Sequence, residues 1–173
     1  MSTEIATAQP ESRQSKDEFV QLSQSAINVI GNELLKLLAD VFTLYVKTKN
    51  FHWHIGGPHF REYHLLLDEQ ADQLFAMTDQ IAERGRKLGV PSIHSIAELV
   101  SVRRLTDSET TSMRPIEMLS ALRADNRRLI GFMYATHRLS DEGGDVATAS
   151  LIENWIDEAE RRIWFLAATI EQA

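Results

Sequence analysis

In four long stretches of this 173-residue chain, apolar side chains return every three or four residues, with glycine or proline at the boundaries. That spacing is the period of one helix face, and no two-residue strand alternation competes with it. The first stretch runs from about Phe19 to Asn50 and carries Ile27, Ile30, Leu34, Leu37, Leu38, Val41 and Tyr45. Gly56-Gly57-Pro58 breaks it, and Pro58 suits the first turn of a second helix, where no N–H is needed. The second stretch carries Tyr63, Leu66, Leu67, Leu74 and Ile81 to about Leu88, and Gly89 and Pro91 stop it. Pro115 opens the third, with Ile116, Leu119, Leu122, Leu129, Ile130 and Met133, and Ser140-Asp141-Glu142-Gly143-Gly144 ends it. The fourth carries Val146, Ala149, Ile152, Ile156, Ala159, Ile163, Leu166 and Ile170 to the end of the sequence. Gly31 costs the first helix roughly 1 kcal/mol relative to alanine. It either permits a close approach or has no packing role.

The connection over 90–114 is the longest, with room for one short helix from Ile93 to Val102 and a polar loop over Thr106–Ser112. Short, long and short connections between four helices predict an all-α four-helix bundle. The long crossover makes the second and third helices parallel neighbours, a ferritin-like topology with a short extra helix between them. Residues 1–18 are polar and aperiodic and read as a flexible tail; residues 19–173 form the bundle domain.

Composition narrows the chemistry. Hydrophobic residues make up 43% and charged residues 25%, values that fit a soluble globular domain. No apolar run approaches the length of a membrane span, and the N-terminus has no apolar leader. The chain has no cysteine, so any metal must sit on His, Asp or Glu. The absence of disulfides fits a cytoplasmic protein. A net charge of −7 opposes bulk attraction to nucleic acid.

Chemistry-bearing residues concentrate between Asn50 and Glu83, which include four of the six histidines: His52, His54, His59 and His64. At about 100° per residue, His64, Asp68, Asp79 and Glu83 share an arc of about 100° on one helix. Such a stripe either holds metal or forms a solvated face with local ion pairs. The fifteen residues from His64 to Asp79 span about 22 Å of helix axis. Metal–ligand bonds are near 2 Å, so these ends cannot share one metal within a straight helix. Two copies of the helix, antiparallel across a two-fold axis, would bring the ends together twice; otherwise the clusters are unrelated. His52 would join from the end of the first helix or just beyond it. The His and carboxylate set suits iron(II), manganese or zinc. No Glu is followed three residues later by His, so the Glu-x-x-His site buried inside many ferritin-like bundles is not supported.

The run NFHWH…GPHFREYHLLLDEQADQLFAMTDQIAERGRKLG closely resembles the Dps family, the DNA-protecting miniferritins of starved cells, and the likeness extends over about residues 20–172. Its core is His52-Trp53, His64 twelve residues on, Asp68 four further, then Asp79…Glu83 on the same helix. The resemblance implies a dodecameric shell with ferroxidase sites at its two-fold interfaces. His52, His64 and Asp68 would come from one chain, and Asp79 and Glu83 from its neighbour. It implies that iron(II) is oxidised there, by hydrogen peroxide in preference to oxygen, and stored as iron(III) mineral. Glu83 is the first choice for a bridging carboxylate. Lys49 occupies a position the family often uses beside the site, or is an exposed lysine. Trp53 resembles the family's tryptophan next to the site, or is a core aromatic. His54 and His59 read as surface or interface residues, and His94 and His137 receive no role.

In such shells iron enters through acidic three-fold pores, for which Asp141, Glu142, Asp145 and Glu153 are candidates; a solvated helix N-terminus explains these acids too. DNA binding in the family is commonly attributed to lysine-rich tails. Here the first eighteen residues carry two bases against four acids, and the last helix reaches the end of the sequence. DNA binding is therefore expected to be weak or absent near neutral pH and physiological salt, with a nucleoid location only if DNA is bound. The alternative function is a mainly structural, DNA-compacting shell with little iron chemistry.

Overall fold

The computed structural model describes residues 22–110 and 112–171. The expected tail over 1–18 lies outside them. The described residues form five helices: α1 Gln24–His54, α2 Phe60–Lys87, α3 Ile96–Val102, α4 Pro115–Gly143 and α5 Val146–Glu171.

Local chemistry explains the boundaries. Ser23 is extended and its hydroxyl accepts the Ala26 N–H, so α1 begins at Gln24. At its other end α1 runs one turn past Asn50, and His52 therefore lies within the helix. Pro58 precedes α2, in a turn that Gly57 makes with φ +95°. α3 starts at Ile96 rather than Ile93 because Ser95 caps it, accepting the Glu98 N–H. Glu117 accepts the Arg114 N–H at the start of α4, and Gly144, at φ +78°, ends that helix.

The four long helices bury one core. Leu34, Leu37, Leu44 and Phe51 of α1 meet Leu67, Leu74 and Ile81 of α2 in one cluster. Leu119, Leu122, Leu129 and Met133 of α4 join it with Ile152, Trp155 and Leu166 of α5. Full burial of each such side chain is worth about 1.5–3 kcal/mol. α1 packs on α2 and α4, and α5 on α4 and α2. α2 and α4 run parallel, as expected, but their backbones do not approach each other closely. They stand diagonally across the bundle, so the expectation of parallel neighbours is corrected. The antiparallel pairings are anchored by His52 with His64, Lys47 with Asp125, Gln70 with Arg162, and His137 with Glu153.

The long connection is stitched along α1. Fully buried Asp40 accepts the N–H groups of Arg104 at 2.6 Å and Leu105 at 2.8 Å, and the Arg104 Nε at 2.8 Å. Lys47 then donates to the Thr106 carbonyl and Asn50 to the Ser108 carbonyl. Gly31 is a contact position: a Cβ there would come within 2.8 Å of a Val90 methyl, so the segment after α2 lies directly on α1.

Candidate metal centre

α1 ends where α2 begins, and that corner gathers three of the five expected residues. The His52 and His64 rings stack with centroids 3.7 Å apart. The His52 Nδ1 lies 2.9 Å from the His64 carbonyl oxygen, and the His64 Nδ1 lies 3.0 Å from the His52 carbonyl oxygen. A carbonyl can only accept, so each Nδ1 carries the proton and donates it. In its neutral form each ring then presents the lone pair of its Nε2, the form a metal ion binds. The His52 carbonyl is among the last four of α1, which have no partner within the helix, so the His64 bond also caps that helix.

Asp68 stands one turn beyond His64 on α2. Its Oδ1 accepts from Lys49 Nζ at 2.8 Å and lies 3.7 Å from the His52 Nε2. The Lys49 hydrogen bond holds the Asp68 carboxyl below the usual carboxylate range, and Asp68 in turn raises the Lys49 ammonium. Lys49 is thus a partner of the candidate carboxylate. Trp53 is no core aromatic; it is 66% exposed beside the histidine pair.

Asp79 and Glu83 do not join this group within the chain. Both are exposed on α2 toward its far end. Glu83 pairs with Lys87 at 3.2 Å, and Asp79 borders a groove of Phe75, Ile93 and Ile96 between α1, α2 and α3. Among the described residues, no three His, Asp or Glu side chains converge on one metal position. His54 bonds its own helix at the Asn50 carbonyl, His59 precedes α2, His94 pairs with Glu98, and His137 pairs with Glu153.

Of the candidate pore acids, Asp145 is buried and spoken for. It bonds Arg84 and caps α5 through the Thr148 N–H and hydroxyl. An internal ion pair and cap cannot line an opening, so Asp145 leaves the pore set. Asp141, Glu142 and Glu153 are exposed.

The bundle interior holds residues that periodicity alone passes over. Lys47 and Asp125 form a buried ion pair at 2.6 Å. Arg162, 1% exposed, donates to Asn126 at 2.9 Å, and burial pulls its guanidinium down to about 10. A signal was available: Lys47 lies on the apolar line Leu44–Thr48–Phe51, and Arg162 on Ala159–Leu166. The Arg162 guanidinium, buried with no carboxylate bonded to it among the described residues, opposes a metal ion beside it in the bundle interior.

A ferritin-like domain family model matches residues 31–173. A DNA protection during starvation protein of Brevibacillus brevis is 30% identical over 141 residues, covering 80% of this chain and 92% of the relative. The chain belongs to the Dps family. Among solved structures, antigen TpF1 of Treponema pallidum superposes on this Dps chain with a TM-score of 0.83 at 30% identity, covering 86% of this chain and 95% of that one. A Dps protein of Vibrio cholerae O1, described as a member of a broad superfamily of ferritin-like diiron-carboxylate proteins, superposes with a TM-score of 0.82. It is 26% identical and covers 86% of this chain and 93% of its own. Over the described residues this Dps chain is a helical bundle of the ferritin-like class, and none of its helices is long and apolar enough to cross a membrane.

Proposed function

We propose that this chain is the subunit of an iron-oxidising and iron-storing dodecameric shell in the cytoplasm, which protects DNA by removing iron(II) and peroxide together. The observation that carries the reading is the division of one ligand set along α2. His52, His64 and Asp68 lie at one end, and Asp79 and Glu83 lie about 22 Å away at the other. An antiparallel α2 from a second chain supplies Asp79 and Glu83 to the histidine end, and the two-fold axis repeats the arrangement. The printed descriptions of the relatives, diiron-carboxylate in one case and DNA protection in another, agree with this chemistry.

The residues suit iron as substrate. Neutral imidazoles hold iron(II) without adding charge, and carboxylates favour the iron(III) product. Lys49 orients Asp68, and the two Nδ1–H bonds fix the lone pairs of the imidazoles. Two iron(II) ions each give one electron to one hydrogen peroxide; its O–O bond breaks, two protons are taken up, and two waters leave. Both electrons reach a single peroxide, so no hydroxyl radical is released. The product is stored inside the shell as iron(III) mineral.

The test begins with mass by light scattering and continues with iron(II) and peroxide titration. H52A and E83Q variants keep the shell assembled and lose fast oxidation. Shells co-assembled from the two variants regain about a quarter of the wild-type rate, because a site built from one chain's histidines and the other's Glu83 is intact. Unchanged oxidation in either single variant sinks the assignment, and no recovery on mixing sinks its inter-chain form.

A further inference from the structure

A buried cation at the seam of α2 and α5 has incomplete hydrogen bonding. Arg162 of α5 is 1% exposed, and its guanidinium, pulled down to about 10, is still charged at neutral pH. Its Nε donates to the Asn126 side chain at 2.9 Å. Among the described residues, its Nη1 and Nη2 have no hydrogen-bond partner, and neither has the buried Oε1 of Gln73 on α2. Buried polar atoms of folded proteins are satisfied by protein or by ordered solvent, so two donors and an acceptor at one seam need an account.

Arg162 and Gln73 line the same cavity, a gap of about 10 Å³ between α2 and α5 that Leu66, Gln70 and Phe165 also border. The direct ties between the helices are long here. Gln70 Nε2 reaches the Arg162 carbonyl at 3.4 Å, and Arg161 reaches Glu69 at 3.4 Å beside the cavity. Neither tie uses the three unpartnered atoms. At about 100° per residue, Gln70 and Gln73 also fall outside the arc that holds His64, Asp68, Asp79 and Glu83, so the cavity lies away from the metal-bearing face of α2.

Size and hydrogen-bonding chemistry together select the occupant. About 10–15 Å³ is what one water molecule needs, which excludes a polyatomic ligand. The guanidinium repels a metal ion. A halide accepts from Arg162 but has no proton for Gln73 Oε1, and it sets negative charge against that oxygen. A water molecule serves both sides: its oxygen accepts from Nη1 and Nη2, and one of its hydrogens goes to Gln73 Oε1. We propose that a single ordered water, bound between Arg162 and Gln73, is an integral part of the bundle and ties α2 to α5. The cation that creates this site interrupts the apolar line Ala159–Leu166 of α5. The proposal is independent of the ferroxidase reading.

The test is high-resolution diffraction from the assembled full-length protein, crystallised once with sodium chloride and once with sodium bromide. A water oxygen is expected within about 2.7–3.2 Å of an Arg162 Nη and of Gln73 Oε1 in every subunit, with no bromine signal there. Thermal midpoints at equal protein concentration supply the second arm. Q73M and R162M each lower the midpoint by at least about 2 °C. The double variant Q73M/R162M loses less than the sum of the two, because groups linked through one water are removed together. A bromine signal in the cavity overturns the proposal in favour of an anion site. An empty cavity, a direct Arg162–Gln73 hydrogen bond or additive midpoint losses also overturn it. The diffraction result decides whether or not R162M folds.

Discussion

His52 and His64 lock each other: each ring donates its Nδ1–H to the other's backbone carbonyl, at 2.9 and 3.0 Å. Because the partner atoms are carbonyls, the tautomer follows from the fold and not from a metal ion. Nitrogen-15 NMR of the metal-free protein should therefore show the proton of each neutral ring on Nδ1. A predominant Nε2–H signal from either ring would contradict this geometry.

The second prediction concerns Lys49 and Asp68. The Lys49 hydrogen bond lowers the Asp68 carboxyl below its ordinary range. With the folded value depressed, the contact's stabilising effect is present above the unfolded carboxylate value and disappears as pH falls through the folded one. Replacing Lys49 with Met should raise the Asp68 titration, read from its side-chain carbonyl carbon in the metal-free protein. The Asp68 carboxylate keeps nearly half of its surface in solvent, so thermal stability at pH 7 should change little. An unmoved Asp68 titration would show that Lys49 does not hold the carboxylate.

The third prediction tests the buried Lys47–Asp125 pair, 2.6 Å apart inside the bundle. Removing one partner leaves an uncompensated buried charge, so D125L should cost about 3–5 kcal/mol in denaturant unfolding. The double variant K47M/D125L should recover most of that loss, because well-packed apolar residues often replace a buried ion pair without penalty. A double variant as unstable as D125L would mean that Asp125 acts through another contact.

Much of the fold was legible in order along the chain. The three- and four-residue apolar spacing marks the four long helices, because a helix without a buried face is unstable alone. Glycine, proline and serine signals marked the ends to within a few residues. The errors were local: Pro58 fell in the turn before α2, Ile93 preceded the cap of α3, and the last turn of α1 extended past Asn50. Each depended on which of several nearby groups satisfied a helix end, which composition does not rank.

The pattern of the five site candidates was legible too, as spacing. Helical rise alone separates His64 from Asp79 by more than any metal can bridge, so the sequence by itself divided the set into two halves. Only the tertiary structure decided how the first half is built. Lys49 and His52 reach Asp68 and His64 across a helix pair, and bonds between residues twelve to nineteen positions apart have no sequence period. The same holds for the diagonal placement of α2 and α4, for Asp145 turned inward to Arg84, and for Val90 lying on Gly31. Periodicity states which face of a helix is buried. What that face meets is set by packing, where volumes, charges and hydrogen bonds from distant segments must be satisfied together.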